Sequence, residues 1–217
     1  MSIGLNQLKV ISGGQTGVDL AGLWAAKVAG IPTGGKAPKF WRTMIGARPE
    51  LGSFFDLVES NSSYYGRTIE NVVAADQTLI IAQKINSSGT KLTLNAIQKH
   101  NKSSYTIDPR AHKHPMQHNP AVPIWDYVAS DVSGWIFSAA KELDRPLILN
   151  IAGNSETSAP GIFEWAFLAM LEIFRGYFEL LVEAGFSDAR GNIDMIMELQ
   201  RTDLAAQLNN KFSMEMI

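Results

Sequence analysis

The sequence predicts an α/β fold: a Rossmann-like, mostly parallel sheet flanked by helices, with a C-terminal helical extension. Three observations lead there. Short apolar runs rich in β-branched residues alternate with stretches of helical periodicity, the pattern of a parallel sheet with crossover helices. The first such run ends in the Gly-rich turn Gly13-Gly14-Gln15-Thr16-Gly17, which opens directly into a helical stretch. Two further turns of small polar residues, Ser88-Gly89-Thr90 and the stretch from Asn150 to Glu156, follow later strand-like runs.

Leu8-Lys9-Val10-Ile11 reads as the first strand, residues 18–29 as the first helix closed by Gly30, and 31–35 as a short extended piece. Residues 36–63 read as a long loop with Pro38, Gly46, Pro49 and Gly52, and a loop of that length is usually functional or hides short elements. Residues 64–75 have Ile69, Val72 and Val73 at helical spacing, and 77–82 read as a buried strand. A helix is expected over about 91–100 and a strand over 103–108. A Pro- and His-rich loop follows over 110–123, then a helix over 128–143 and a strand over 146–151. An apolar helix begins near Pro160 and stops at Gly185, and a last helix covers broadly 193–212. The expected organisation is a ligand-binding domain over 1–172 and a helical extension over 173–217.

Composition narrows the function classes. Of the 217 residues, 46% are hydrophobic and 18% charged, which excludes a disordered chain, a collagen-like repeat and a coiled coil. A formal net charge of −2 gives no global attraction to nucleic acid or anionic membrane. The absence of cysteine excludes disulfides, thiolate metal sites and Cys nucleophiles. The most apolar run, 162–181, carries Glu164, Glu172, Arg175 and Glu179, too many charges for a bilayer span. A cytoplasmic protein is expected, with no membrane partner.

Right-handed crossovers place the three polar turns at one edge of the sheet, beyond the strand ends, where open α/β sheets bind ligands. In the first turn, glycines let backbone N–H groups approach an anion, and the following helix N-terminus adds free donors and partial positive charge. Gln15 and Thr16 add side-chain hydrogen bonds, and Asp19 suits either the helix dipole or a ligand hydroxyl. The turn lacks the Gly-Lys-Ser/Thr ending of a Walker loop and the spacing of a dinucleotide fingerprint. Taken alone, it is equally a tight βα connection, and Ser88 is equally an ordinary helix start. Trp41, beside Lys39 and Arg42, could stack on a planar ligand. The histidines at 100, 112, 114 and 118 read as a solvated polar loop, since Pro115 interrupts them and no carboxylate has ligand spacing nearby. No Ser-His-Asp arrangement is readable, so binding is favoured over chemistry.

Val10 to Asp19, with Gly30-Ile31-Pro32 and Gly35, resembles the opening of the molybdenum carrier family. That family is similar in fold to the cytokinin-activating, lysine decarboxylase-like Rossmann proteins. Pro38-Lys39, Tyr65, Arg67-Thr68, Asn71-Val72, Asp76, Ser88-Gly89-Thr90, Leu149 to Gly153, Ser155-Glu156 and Ala159 to Ile162 extend the resemblance over roughly residues 9–171. The resemblance implies a homo-oligomer with a cleft for an anionic ligand, either a molybdenum-cofactor-type pterin or a nucleotide-derived molecule. Carrier, sensor, sequestering binder and phosphoribohydrolase are the roles it leaves open. Asn95 stands where the resemblance expects a Glu, which counts against hydrolysis.

The expected ligand-binding residues are Gly13, Gly14, Gln15, Thr16, Gly17, Asp19, Lys39, Arg67, Thr68, Asn71, Ser88, Gly89, Thr90, Asn150, Gly153 and Glu156. Gly13, Gly14, Thr16 and Gly17 would donate to one phosphate. Ser88, Gly89 and Thr90 would hold a second phosphate or a ribose. Lys39 and Arg67 would supply charge, and Asn71, Asn150 and Glu156 would orient the polar body. No catalytic residue and no metal ligand is expected. A bulky residue at Gly14 is expected to abolish binding without unfolding the chain.

Overall fold

The structure, a computed structural model, describes residues 8–112 and 124–201. Its strands are β1 (Leu8–Ile11), β2 (Thr33–Ala37), β3 (Arg42–Thr43), β4 (Gly46–Ala47), β5 (Leu57–Glu59), β6 (Gln77–Ile81), β7 (Ser103–Ile107) and β8 (Leu147–Gly153). Its helices are α1 (Val18–Val28), α2 (Glu50–Phe55), α3 (Tyr64–Ala74), α4 (Ser88–Lys99), α5 (Ile124–Lys141), α6 (Ile162–Glu183) and α7 (Arg190–Arg201).

Six strands form one parallel sheet in the order β5-β2-β1-β8-β6-β7. The chain steps outward from β1 through β2 to β5, then crosses back to β6 and β7. Strand β8 finally enters between β1 and β6, pairing Val10 with Leu149 and Leu79 with Ile151. This reversal of direction opens a crevice beyond the C-terminal ends of β1, β8 and β6, the ligand position of open α/β sheets.

Both faces of the sheet are covered, which is why β6 reads as an unbroken apolar run. All five of its residues are buried. Leu79 and Ile81 join the larger core with α1, α5 and α6, whereas Ile80 packs on the other face with Val72 of α3 and Ala96 and Ile97 of α4. Three of the four charges that argue against a membrane span in α6 form an intrahelical cluster, with Arg175 bridging Glu172 and Glu179. Among the described residues no helix is long and apolar enough to cross a membrane.

The long stretch over 36–63 is not structureless. It contains the β3–β4 hairpin, α2, and β5, which pairs through Leu57–Glu59 with Gly35–Ala37 of β2. Gly35 has a φ of +123°, and a Cβ there would lie 2.2 Å from the Ser12 carbonyl, so only glycine permits this strand spacing. Helix α4 begins at Ser88, three residues before the expected start. The expected domain boundary at 172/173 falls inside α6, which runs unbroken because both its halves are buried against the same core. The expected last helix is seen as α7 to Arg201, and the remainder of its expected span lies outside the described residues.

Candidate functional site

A cavity of about 360 Å³ lies at the C-terminal edge of the sheet, within the size range of small-molecule sites. Helix α3 forms one wall with Tyr64, Arg67, Thr68 and Asn71, a single face at i, i+3, i+4 and i+7. The turn after β1 contributes Gly13, Gln15 and Thr16, the start of α4 contributes Ser88 and Gly89, and β8 contributes Asn150 to Gly153.

Asp19 and Arg67 are both buried and form an ion pair, Arg67 Nη1 donating to Asp19 Oδ2 at 3.3 Å. Burial pushes the Asp19 carboxyl above its ordinary value of 3.8, opposed by the Arg67 charge and by backbone N–H groups of Gln15 and Gly13. The guanidinium lies against Gly13 and over the Tyr64 ring, 4.8 Å from its centre. A Cβ at Gly13 would sit 1.4 Å from Arg67 Nη1, so Gly13 makes room for the arginine. Arg67 Nε and Thr16 Oγ1 are buried with no partner, and both residues border the cavity.

Three N–H donors of the first turn and the helix start after it are engaged within the protein. The Gln15 N–H is directed to Asp19 Oδ2 at 3.4 Å, Thr16 N–H to the Gln15 side chain at 3.0 Å, and Val18 N–H to the Asn154 carbonyl at 3.1 Å. Gln15 Oε1 also accepts from Met44 N–H at 3.0 Å, which ties the β3–β4 hairpin to the cavity. The start of α4 is different. Ser87 caps it, accepting from Thr90 N–H with its hydroxyl and from Lys91 N–H with its carbonyl. The N–H groups of Ser88 and Gly89, first and second in the helix, have no intrahelical acceptor.

Asn154, which the sequence did not single out, joins the turns. Its Oδ1 accepts from Lys84 N–H at 2.8 Å, and its Nδ2 donates to the Lys84 carbonyl, Ser87 Oγ and Thr90 Oγ1 at 3.2, 3.3 and 3.2 Å. Its backbone carbonyl meanwhile holds the start of α1.

Of the expected site residues, the structure brings Gly13, Gln15, Thr16, Asp19, Arg67, Thr68, Asn71, Ser88, Gly89, Asn150 and Gly153 around the cavity. Asn71 is engaged in both directions with the Lys36 backbone, and the Asn150 amide donates to Thr78 Oγ1. The other five are not among the lining residues. Gly14 faces the core, where a Cβ would meet Leu57 and Leu51 at 2.9 and 3.0 Å. A bulky residue there would therefore strain the fold rather than fill the cavity. Gly17 abuts the backbone of Asn154 and Glu156. Thr90 is buried in the Asn154 network, and Glu156 caps α6 by accepting from Gly161 and Phe163 N–H. Lys39 Nζ lies over the exposed Phe40 ring. Trp41 packs on Gly52, and Asn95 is exposed, while Thr93 is the α4 residue beyond the first turn that borders the cavity.

Tyr64, Met44, Ser87, Thr93, Ser155 and Ser158 line the cavity but are not among the expected ligand-binding residues. Helical spacing back from Asn71 through Arg67 was the available signal for Tyr64. Among the described residues no group of His, Cys, Asp and Glu could hold a metal, and His114 and His118 lie outside them.

A family model described as the circularly permutated YpsA SLOG family matches residues 10–174, which spans every element that shapes the cavity. The chain belongs to that family. A solved structure resembles this family member over 78% of its chain and 95% of the other, at 32% identity and a TM-score of 0.61. It is the 1.45 Å crystal structure of a "putative molybdenum carrier protein" from Syntrophus aciditrophicus SB. A search of curated proteins found none that matches. The family and its neighbour suggest a ligand-binding role.

Proposed function

We propose that this SLOG family member binds a small anionic ligand in the cavity at the C-terminal edge of the sheet, as a carrier or sensor. The observation that carries the reading is the start of α4. Ser88 and Gly89 bring N–H donors of a helix N-terminus to a cavity that also borders the unpartnered Thr16 hydroxyl and Arg67 Nε. Buried polar atoms without partners are costly, and a polar ligand would supply partners.

The ligand class is a molybdenum-cofactor-type pterin or a nucleotide-derived molecule, each a polar ring system carrying phosphate. Asp19 is the carboxylate among the lining residues, and it is engaged by Arg67 and the first turn, a poor arrangement for a general base. Binding without turnover is therefore favoured over hydrolysis. The test is to purify the protein natively, denature it and identify released small molecules by mass spectrometry. A stoichiometric pterin supports the carrier role, and a nucleotide derivative supports sensing or sequestration. An empty protein whose melting temperature rises with no member of a nucleotide and pterin panel would contradict the proposal.

A further inference from the structure

The cavity has two places where backbone geometry suits an anion: the turn after β1 and the start of α4. They are not equally open. At the first, the chain's own carboxylate is already seated. Asp19 Oδ2 lies 3.4 Å from Gln15 N and 3.3 Å from Arg67 Nη1, and the Gly13 N–H also lowers its pKa. The neighbouring donors are spent too, Thr16 N–H on the Gln15 side chain and Val18 N–H on Asn154. A concavity of backbone N–H groups that would hold a ligand anion instead holds a residue of the protein.

Charge follows the same division. Asp19 and Arg67 are each more than nine-tenths buried and cancel one another. What stays uncompensated is the partial positive charge at the start of α4, whose first turn contains no acidic residue. One anionic group is matched there. A second, reaching the first turn, would meet a buried carboxylate in a medium that screens poorly.

We propose that Asp19 is a specificity-determining residue: by engaging the Gln15 and Gly13 N–H groups, placing a buried carboxylate beside the first turn and neutralising Arg67, it restricts the cavity to ligands with a single anionic group and excludes diphosphates. This assignment rests on the anion-binding reading of the cavity given above. It makes the ligand a monophosphate-type molecule and gives the Gly-rich turn an internal role.

Inorganic phosphate and pyrophosphate are the probes, titrated calorimetrically into the full chain at fixed pH and ionic strength. Charge alone would make pyrophosphate the tighter ligand. Wild-type protein is expected to bind phosphate and to bind pyrophosphate no tighter. In Asp19→Asn the carboxylate charge that neutralises Arg67 and opposes a second anionic group is removed, while an acceptor oxygen for the Gln15 N–H is kept, and pyrophosphate should gain about tenfold over phosphate, the factor that 1.4 kcal/mol represents. The double variant Asp19→Asn, Arg67→Met removes the buried charge altogether and should lose that gain.

Wild-type preference for pyrophosphate by tenfold overturns the assignment, whether or not the variants fold. So does an Asp19→Asn protein that folds and keeps the wild-type ratio, or a double variant that retains the gain. Failure of wild type to bind either anion overturns the reading of the cavity itself, and the assignment falls with it.

Discussion

Asn154→Ala should uncouple the turns that build the cavity. The side chain is buried and makes hydrogen bonds to Lys84 N, Lys84 O, Ser87 Oγ and Thr90 Oγ1. Each such bond contributes about 1 kcal/mol net, and a buried polar group left unpaired costs about 1–3 kcal/mol. Two features reduce the loss. Lys84 is exposed, so its backbone can turn to water, and the Ser87 and Thr90 hydroxyls keep their own bond at 2.8 Å. The expected destabilisation is therefore about 2–3 kcal/mol. Urea titration followed by far-UV circular dichroism measures it as a lower midpoint at unchanged slope. Asn154→Asp keeps the acceptor for Lys84 N–H but loses the Nδ2 donor and sets a buried carboxylate against the Lys84 carbonyl; it should lose at least as much. A loss below about 1 kcal/mol in Asn154→Ala would refute the reasoning, because the network would then contribute no more than a single ordinary hydrogen bond.

Gly153→Ala should destabilise by about 3 kcal/mol or prevent folding, since overpacking against backbone has no cheap relaxation. The added Cβ would lie 2.0 Å from the Ile81 carbonyl and 2.8 Å from Val18, and thermal unfolding reads the effect. Asp76→Asn should cost about 1 kcal/mol at pH 7, a modest value because water screens the half-exposed Arg145. The Arg145 hydrogen bond holds the Asp76 carboxyl below its ordinary 3.8, so its contribution is full above that value and is lost as pH falls through the lower folded value. Wild type and variant compared by urea unfolding should thus differ at pH 7 and converge in strong acid. Ser87→Ala removes the α4 cap and should lose about 1 kcal/mol in the same assay.

Long elements were legible in the sequence because both hydrophobic patterns have enough residues to show. β6 is apolar throughout since both its faces are covered, and α3 and α6 repeat at helical spacing. The hairpin of β3 and β4, two residues each, has no period to detect, and β5 is a three-residue edge strand too short to show alternation. The chemistry at the sheet edge was legible as residue types, and eleven of the sixteen named positions lie around the cavity. What sequence could not show is who satisfies whom. Glu156 looks like a ligand contact and caps α6, Thr90 looks like one and serves Asn154, and Asp19 fills the turn expected to hold phosphate. The Thr90 outcome depends on a partner 64 residues away, and the other two on which nearby backbone N–H a carboxylate turns to, which residue type alone does not decide.

In the proposed binding mode ligand anions sit at the start of α4 and not in the Gly-rich turn. Backbone amide NMR of the full chain during a phosphate titration tests it most directly. Saturable shifts are expected at Ser88 and Gly89, with Gln15, Thr16 and Val18 little changed because their N–H groups are already bonded. Shifts centred on Gln15 to Val18, with Ser88 and Gly89 unmoved, would contradict it.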